Sequence, residues 1–264
     1  MSRVIPGILM AGGWFLLLYW GSAALFWAVV VSGAVIALHE YFRMTSVSLI
    51  GSPLFVTIFL CLFPVLAAFF GRSDIVLAGV IGSLLAVVAV ALYRYTAIED
   101  VFKYISCSGF GSVYISLCMA HVVLIRLLPQ GPFWLTMLIA VVAGSDIGAY
   151  YAGRAFGGRK LFPQISPKKT VAGGIGGLVV GIAFAEGINL LYPGNVDSFF
   201  LFIAAALLIV VGIAGDLTES MIKRSMGVKD SGTILFGHGG LLDRIDSLLL
   251  TAPILFYLLH FRIL

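Results

Sequence analysis

The chain has 264 residues, of which 61% are hydrophobic and only 11% charged; its formal net charge is +4, and its mean hydropathy of +1.11 lies far above what a soluble domain of this length carries. These values exclude a soluble enzyme and predict an integral membrane protein whose first partner is the lipid bilayer, with no nucleic-acid partner. The polar turns are too short for a separate soluble domain, so 1–264 reads as one membrane-embedded domain, in which helices over 1–130 precede a C-terminal half, 131–264, that holds the charged motifs.

A bilayer-spanning helix needs about 20 apolar residues. Runs of that kind predict an all-α, polytopic helical bundle of about nine transmembrane helices, near 5–20, 22–38, 53–70, 75–93, 106–128, 132–153, 173–192, 198–219 and 245–263. The first run resembles a signal peptide but leads into further apolar spans without a convincing cleavage site, so it is expected to be a retained helix. It meets the second at Gly21-Ser22, either as a tight hairpin or as a re-entrant pair. Between spans four and five, "RYTAIEDVFKYI" carries an amphipathic pattern that predicts a helix lying at the membrane interface. Cys61, Cys107 and Cys118 lie in apolar segments without metal-ligand spacing and read as core residues.

Basic residues set the orientation. The N-terminus and the even-numbered connections hold thirteen lysines and arginines, and the opposite side only Arg72, Arg126 and Arg262. By the positive-inside rule the N-terminus and the charged loops are cytoplasmic and the C-terminus is outside, as expected for a protein of the cytoplasmic (inner) membrane.

Two carboxylates, Asp146 and Asp216, interrupt apolar runs, and a charge at membrane depth calls for a partner, a cavity or a metal. Asp216, Glu219, Ser220 and Lys223 repeat at helical spacing, and Asp243 and Asp246 stand three apart at the start of the last span. Aspartates converging without Cys or ligand-spaced His favour a hard, oxygen-seeking cation such as Mg²⁺ over zinc. Lys168, Lys169, Lys223, Arg224, Lys229 and Arg244 surround them in sequence, and Gly232, Gly237, Gly239 and Gly240 permit close backbone approach, so the ingredients of a phosphate-and-metal site are present. Lys168 and Lys169 also suit a solvated basic loop touching anionic lipid. His238 reads as a base, a phosphate donor or a loop-packing residue, with phosphate contact favoured.

At "SMIKRSMGVKDSGTILFGHGGLLDRID", Ser220 to Asp246, the sequence resembles the phosphatidate cytidylyltransferases (CDP-diacylglycerol synthases), and "SDIGAYYAGRAFGGRKLFPQISPKKT" extends the likeness upstream. It departs from the family pattern at Phe236, where Pro is usual, and at 171–173, where Val171 and Ala172 precede Gly173 and Trp-Glu-Gly is frequent. The resemblance implies transfer of CMP from CTP to phosphatidic acid, releasing pyrophosphate. Asp216 and Asp243 would then be the principal Mg²⁺ ligands, with Asp246 and Asp146 supporting a second cation or the shell around the first. Lys223, Arg224, Lys229 and Arg244 would hold the triphosphate or lipid phosphate, Lys168 and Lys169 would close over the site, and His238 would touch phosphate beside Gly239 and Gly240, with Ser220 at the substrate.

The lipid requires a membrane-open groove, lined by Phe199, Phe200 and Leu201 or by the sixth span. A homodimer is expected without a residue that argues for it. Two other readings use the same spans: a CTP-dependent polyprenol kinase, and a cation-coupled transporter with Asp146 and Asp216 as coupling sites.

Overall fold

The computed structural model describes residues 4–45, 52–191, 196–232 and 239–264. Eleven α-helices and one β-hairpin are found among them: α1 Val4–Trp20, α2 Ala23–Met44, α3 Ser52–Cys61, α4 Phe63–Ala67, α5 Ser73–Tyr93, α6 Val101–Gly111, α7 Cys118–Leu127, α8 Gly131–Phe156, β1 Lys160–Phe162, β2 Ser166–Thr170, α9 Val171–Leu190, α10 Ser198–Ser225 and α11 Leu242–His260. The fold is a polytopic helical membrane bundle. By length and composition six helices among the described residues are able to cross a membrane, or seven if the pair α3–α4 counts as one span, against the nine expected. The α3–α4 pair is bent by 44°. Pro64 lies at the start of α4 and lacks the amide that would continue the hydrogen-bond ladder.

Several helix ends and loops differ from the sequence reading, α10 among them, which runs to Ser225 where 219 was expected. Ser22 caps α2 by accepting from the Leu25 amide at 3.2 Å, and α2 then runs six residues past the expected end at 38, drawing Glu40 into a buried helix. The expected interfacial helix is absent: residues 94–100 form a turn, and Asp100 accepts the Lys103 amide at 2.8 Å to start α6, so Val101–Ile105 belong to a membrane helix. A π-helical segment, Ser112–Leu117, joins α6 to α7 in one continuous span. The "ISPKKT" loop is a strand, β2, paired antiparallel with β1 in the register Lys160 to Thr170.

Two close helix contacts position the charged end. On α8 and α9 the small residues let backbones touch: a Cβ on Gly176 would meet the Gly148 carbonyl at 2.8 Å, and one on Gly177 would meet Ser145 Oγ at 2.9 Å. On α10 a Cβ at Gly215 would strike the Asp246 carbonyl at 2.5 Å, so α10 and α11 lie against each other where their aspartates stand. Buried Leu38, Leu124, Leu138, Leu208 and Leu249 form the core between α2, α7, α8, α10 and α11. Leu77, Leu85, Phe55 and Val210 point outward and are exposed, as side chains facing lipid do.

Candidate active site

The charged residues meet where α10 and α11 pack, beside the β-hairpin. On β2 Lys168 is exposed, while Lys169, whose side chain leaves the opposite face of the strand, is partly buried. Thr170, the next residue, accepts the Gly173 amide at 3.0 Å and begins α9, so the strand is anchored where Lys169 leaves it. Lys169 Nζ lies 2.7 Å from Asp216 Oδ2, and Ser220 Oγ donates to Asp216 Oδ1 at 3.2 Å. Asp146, Lys169, Asp216 and Ser247 line one cleft, which joins α8, β2, α10 and α11.

A second cluster lies one turn further along α10. Lys223 Nζ donates to Glu219 Oε2 and to Asp243 Oδ1, both at 2.6 Å. Glu219 is fully buried, and its other oxygen, Oε1, has no hydrogen-bond partner among the described residues. Asp243 Oδ2 accepts the amides of Gly240 at 2.9 Å and Ser231 at 3.1 Å. Gly239 carries φ +81°, a conformation that disfavours side chains, and a Cβ there would approach Asp243 Oδ2 to 2.8 Å. Asp246 Oδ1 accepts its neighbour's amide, that of Ser247, at 2.6 Å.

The other expected site residues divide. Arg224 is exposed and binds backbone carbonyls, donating to Ile165 at 3.5 Å and Val228 at 3.3 Å, so it ties the β-hairpin to the end of α10. Lys168, Lys229 and Arg244 are exposed, and Val171–Gly173 make the first turn of α9. His238, Gly237 and Phe236 lie outside the described residues. The groove expected at Phe199 and Phe200 is misplaced: 17 residues of helix, about 25 Å, separate Phe199 from Asp216, and Leu201 is buried.

Sequence reasoning missed Glu40 and Ser231 and gave Glu219 no role. Glu40 Oε1 accepts the Leu241 amide at 3.0 Å, while its Oε2 accepts the Leu242 amide at 2.9 Å and Ser231 Oγ at 3.4 Å. The available signal was a carboxylate after the apolar run "AVIALH", hidden because the helix was ended at 38.

Among the described residues no three His, Cys, Asp or Glu side chains stand close enough together to hold a metal on their own. The donor set nonetheless suits Mg²⁺, which is commonly held by one or two carboxylates together with substrate phosphates and water. Asp146, Asp216, Glu219, Asp243 and Asp246 outnumber the two lysines that pair with them, and Glu219 Oε1 is an unused oxygen donor.

A family model described as "Cytidylyltransferase family" matches residues 1–262. The chain belongs to the cytidylyltransferase family. It is 35% identical to the phosphatidate cytidylyltransferase of Bacillus subtilis over 98% of this chain and 97% of that protein. It is 34% identical to that of Staphylococcus haemolyticus over 92% of both chains. Against the Pseudomonas aeruginosa phosphatidate cytidylyltransferase the identity is 46%, over 48% of this chain and 49% of that protein. The family match spans the N-terminal helices, where the sequence motifs gave no lead, as well as the half that carries the signature.

The two lysines of β2 are expected to behave differently. Lys169→Ala removes a half-buried cation from Asp216 and should lower turnover about tenfold or more, the scale of one charge-assisted hydrogen bond. Lys168→Ala should cost only a few-fold, since its side chain is exposed. Steady-state rates of the two purified variants, compared side by side, check the difference; a loss of no more than a few-fold in Lys169→Ala would remove Lys169 from the reacting site.

Proposed function

We propose that the chain is a phosphatidate cytidylyltransferase, a membrane nucleotidyltransferase that transfers CMP from CTP to phosphatidic acid. The observation that carries this reading is similarity along almost the entire length to a relative of that name. The site has the matching chemistry. An oxygen of the phosphatidate phosphate attacks the α-phosphorus of CTP, the new P–O bond forms CDP-diacylglycerol, and the bond to the β-phosphate breaks to release pyrophosphate. A phosphate monoester has a second pKa of about 6, so the nucleophile is largely ionised near neutral pH and no strong base is needed. The demand falls on charge neutralisation and alignment of the reacting groups.

Lys169 and Lys223 supply positive charge inside the cluster, and Lys168, Lys229, Arg224 and Arg244 supply it at the rim. Asp216 and Asp243 would be the principal Mg²⁺ ligands, with Asp246, Asp146 and the unused Glu219 oxygen around them. The ion when bound neutralises phosphate charge and favours departure of pyrophosphate. Substrate phosphates at this site would offer Lys169 and Lys223 anionic partners besides Asp216 and Asp243.

The basic-residue distribution supports a cytoplasmic site, N-terminus inside and C-terminus outside. Nine crossings result if α1, the α3–α4 pair and α11 span the bilayer beside the six longer apolar helices.

The test is pyrophosphate release by the purified protein in detergent, with CTP, phosphatidic acid and Mg²⁺ each omitted in turn and the lipid product identified by mass. Release that needs all three and yields CDP-diacylglycerol is expected. CDP formed only when a polyprenol is supplied would replace the reading with a lipid kinase, and no product from either lipid would reopen transport.

A further inference from the structure

The signature loop is held from a distance. Glu40 belongs to α2 in the N-terminal half, 191 residues from Ser231 and more than 200 from Leu242. It is 2% exposed, and a buried carboxylate needs hydrogen bonds to compensate its lost hydration. Its two oxygens take the Ser231 hydroxyl and the Leu241 and Leu242 amides, which belong to the N-terminus of α11, where the N-cap residue Leu241 supplies no side-chain cap. Carboxylates at this end of a helix satisfy orphan amides and face the favourable end of the helix dipole.

The fit is close on every side. A Cβ at Gly232 would lie 2.6 Å from Glu40 Oε1, and one at Gly240 would lie 2.6 Å from Glu40 Oε2 and collide with Ser231 Oγ. The two glycines thus form a cradle filled by the Glu40 carboxylate. The same short segments carry the partners of Asp243, the Ser231 and Gly240 amides, so a shift of either segment moves Asp243 relative to Lys223.

We infer that Glu40 is a positioning residue for nucleotidyl transfer: it pins the turn at Ser231–Gly232 and the start of α11 so that Asp243 meets Lys223. The role in catalysis rests on the cytidylyltransferase reading; the pinning does not.

The test uses the full chain in detergent, with Glu40→Gln and Glu40→Ala. A misplacement near 1 Å costs about 100-fold in rate, so Glu40→Ala should lose about that much in kcat. Glu40→Gln, which keeps the shape and one acceptor, should lose about tenfold, with KM for CTP changed far less than kcat in both. Hydrogen–deuterium exchange of the peptide covering 239–246 should quicken in both variants, while α8 and α9 exchange as in the parent.

Parent-like kcat together with parent-like exchange in Glu40→Gln would overturn the inference, and so would a loss in which KM alone changes. Should Glu40→Ala fail to give monodisperse protein, Glu40→Gln decides by the same two readings. If the parent protein makes no CDP-diacylglycerol, the functional reading falls while the exchange measurement still decides whether Glu40 holds the turn.

Discussion

Asp243→Asn is expected to lower turnover at least about 1000-fold, a loss on the scale of removing an electrostatic partner of the reacting groups, while the protein stays folded. Asn matches Asp in size, and its amide oxygen still accepts from the Gly240 and Ser231 amides that hold the carboxylate now. What vanishes is the negative charge 2.6 Å from Lys223, and with it the proposed Mg²⁺ ligand. Lys223 would then belong to Glu219 alone.

The measurement is pyrophosphate release over a range of Mg²⁺ concentrations, with thermal unfolding in the same detergent as the control for folding. A melting temperature close to the parent's with no detectable turnover is the expected pair of results. Near-normal turnover would remove Asp243 from the ligand set, and partial recovery at high Mg²⁺ would mark the loss as one of metal affinity.

The long apolar helices were legible because a bilayer imposes a length on them: α5, expected over 75–93, is Ser73–Tyr93. The charged inventory was legible too, since Asp216, Ser220, Lys223 and Asp243 recur at helical spacing or in a gapped motif, and the fold does bring them to one end of α10 and α11. The pairing was not. Helical periodicity places Lys223 on a face with Glu219 but carries no information about Asp243, which arrives on another helix. Nor does an apolar pattern reveal a π-helical segment such as Ser112–Leu117, whose hydrogen-bond shift leaves composition unchanged. Glu40 escaped notice for a related reason: its partners are backbone amides, and backbone groups have no sequence signature.

Lys223→Met should combine loss of activity with loss of stability. Lys223 is 11% exposed and stands between two carboxylates, one of them fully buried. Methionine fills much of the aliphatic volume but leaves Glu219 without the cation that compensates its burial, and removing one partner of a buried ion pair costs about 3–5 kcal/mol. The melting temperature in detergent should therefore fall by at least about 5 °C. Asp243 keeps its two backbone amides and is less affected. The double variant Glu219→Gln with Lys223→Met removes the stranded charge and should regain at least about half of the lost stability, because an apolar or neutral replacement of both partners is far cheaper than removal of one. Turnover should stay abolished in both, since neither restores a cation beside Asp243. If the single variant melts like the parent and turns over normally, Lys223 is neither the counter-charge of Glu219 nor a phosphate ligand. If the double variant regains activity along with stability, its role is confined to neutralising Glu219.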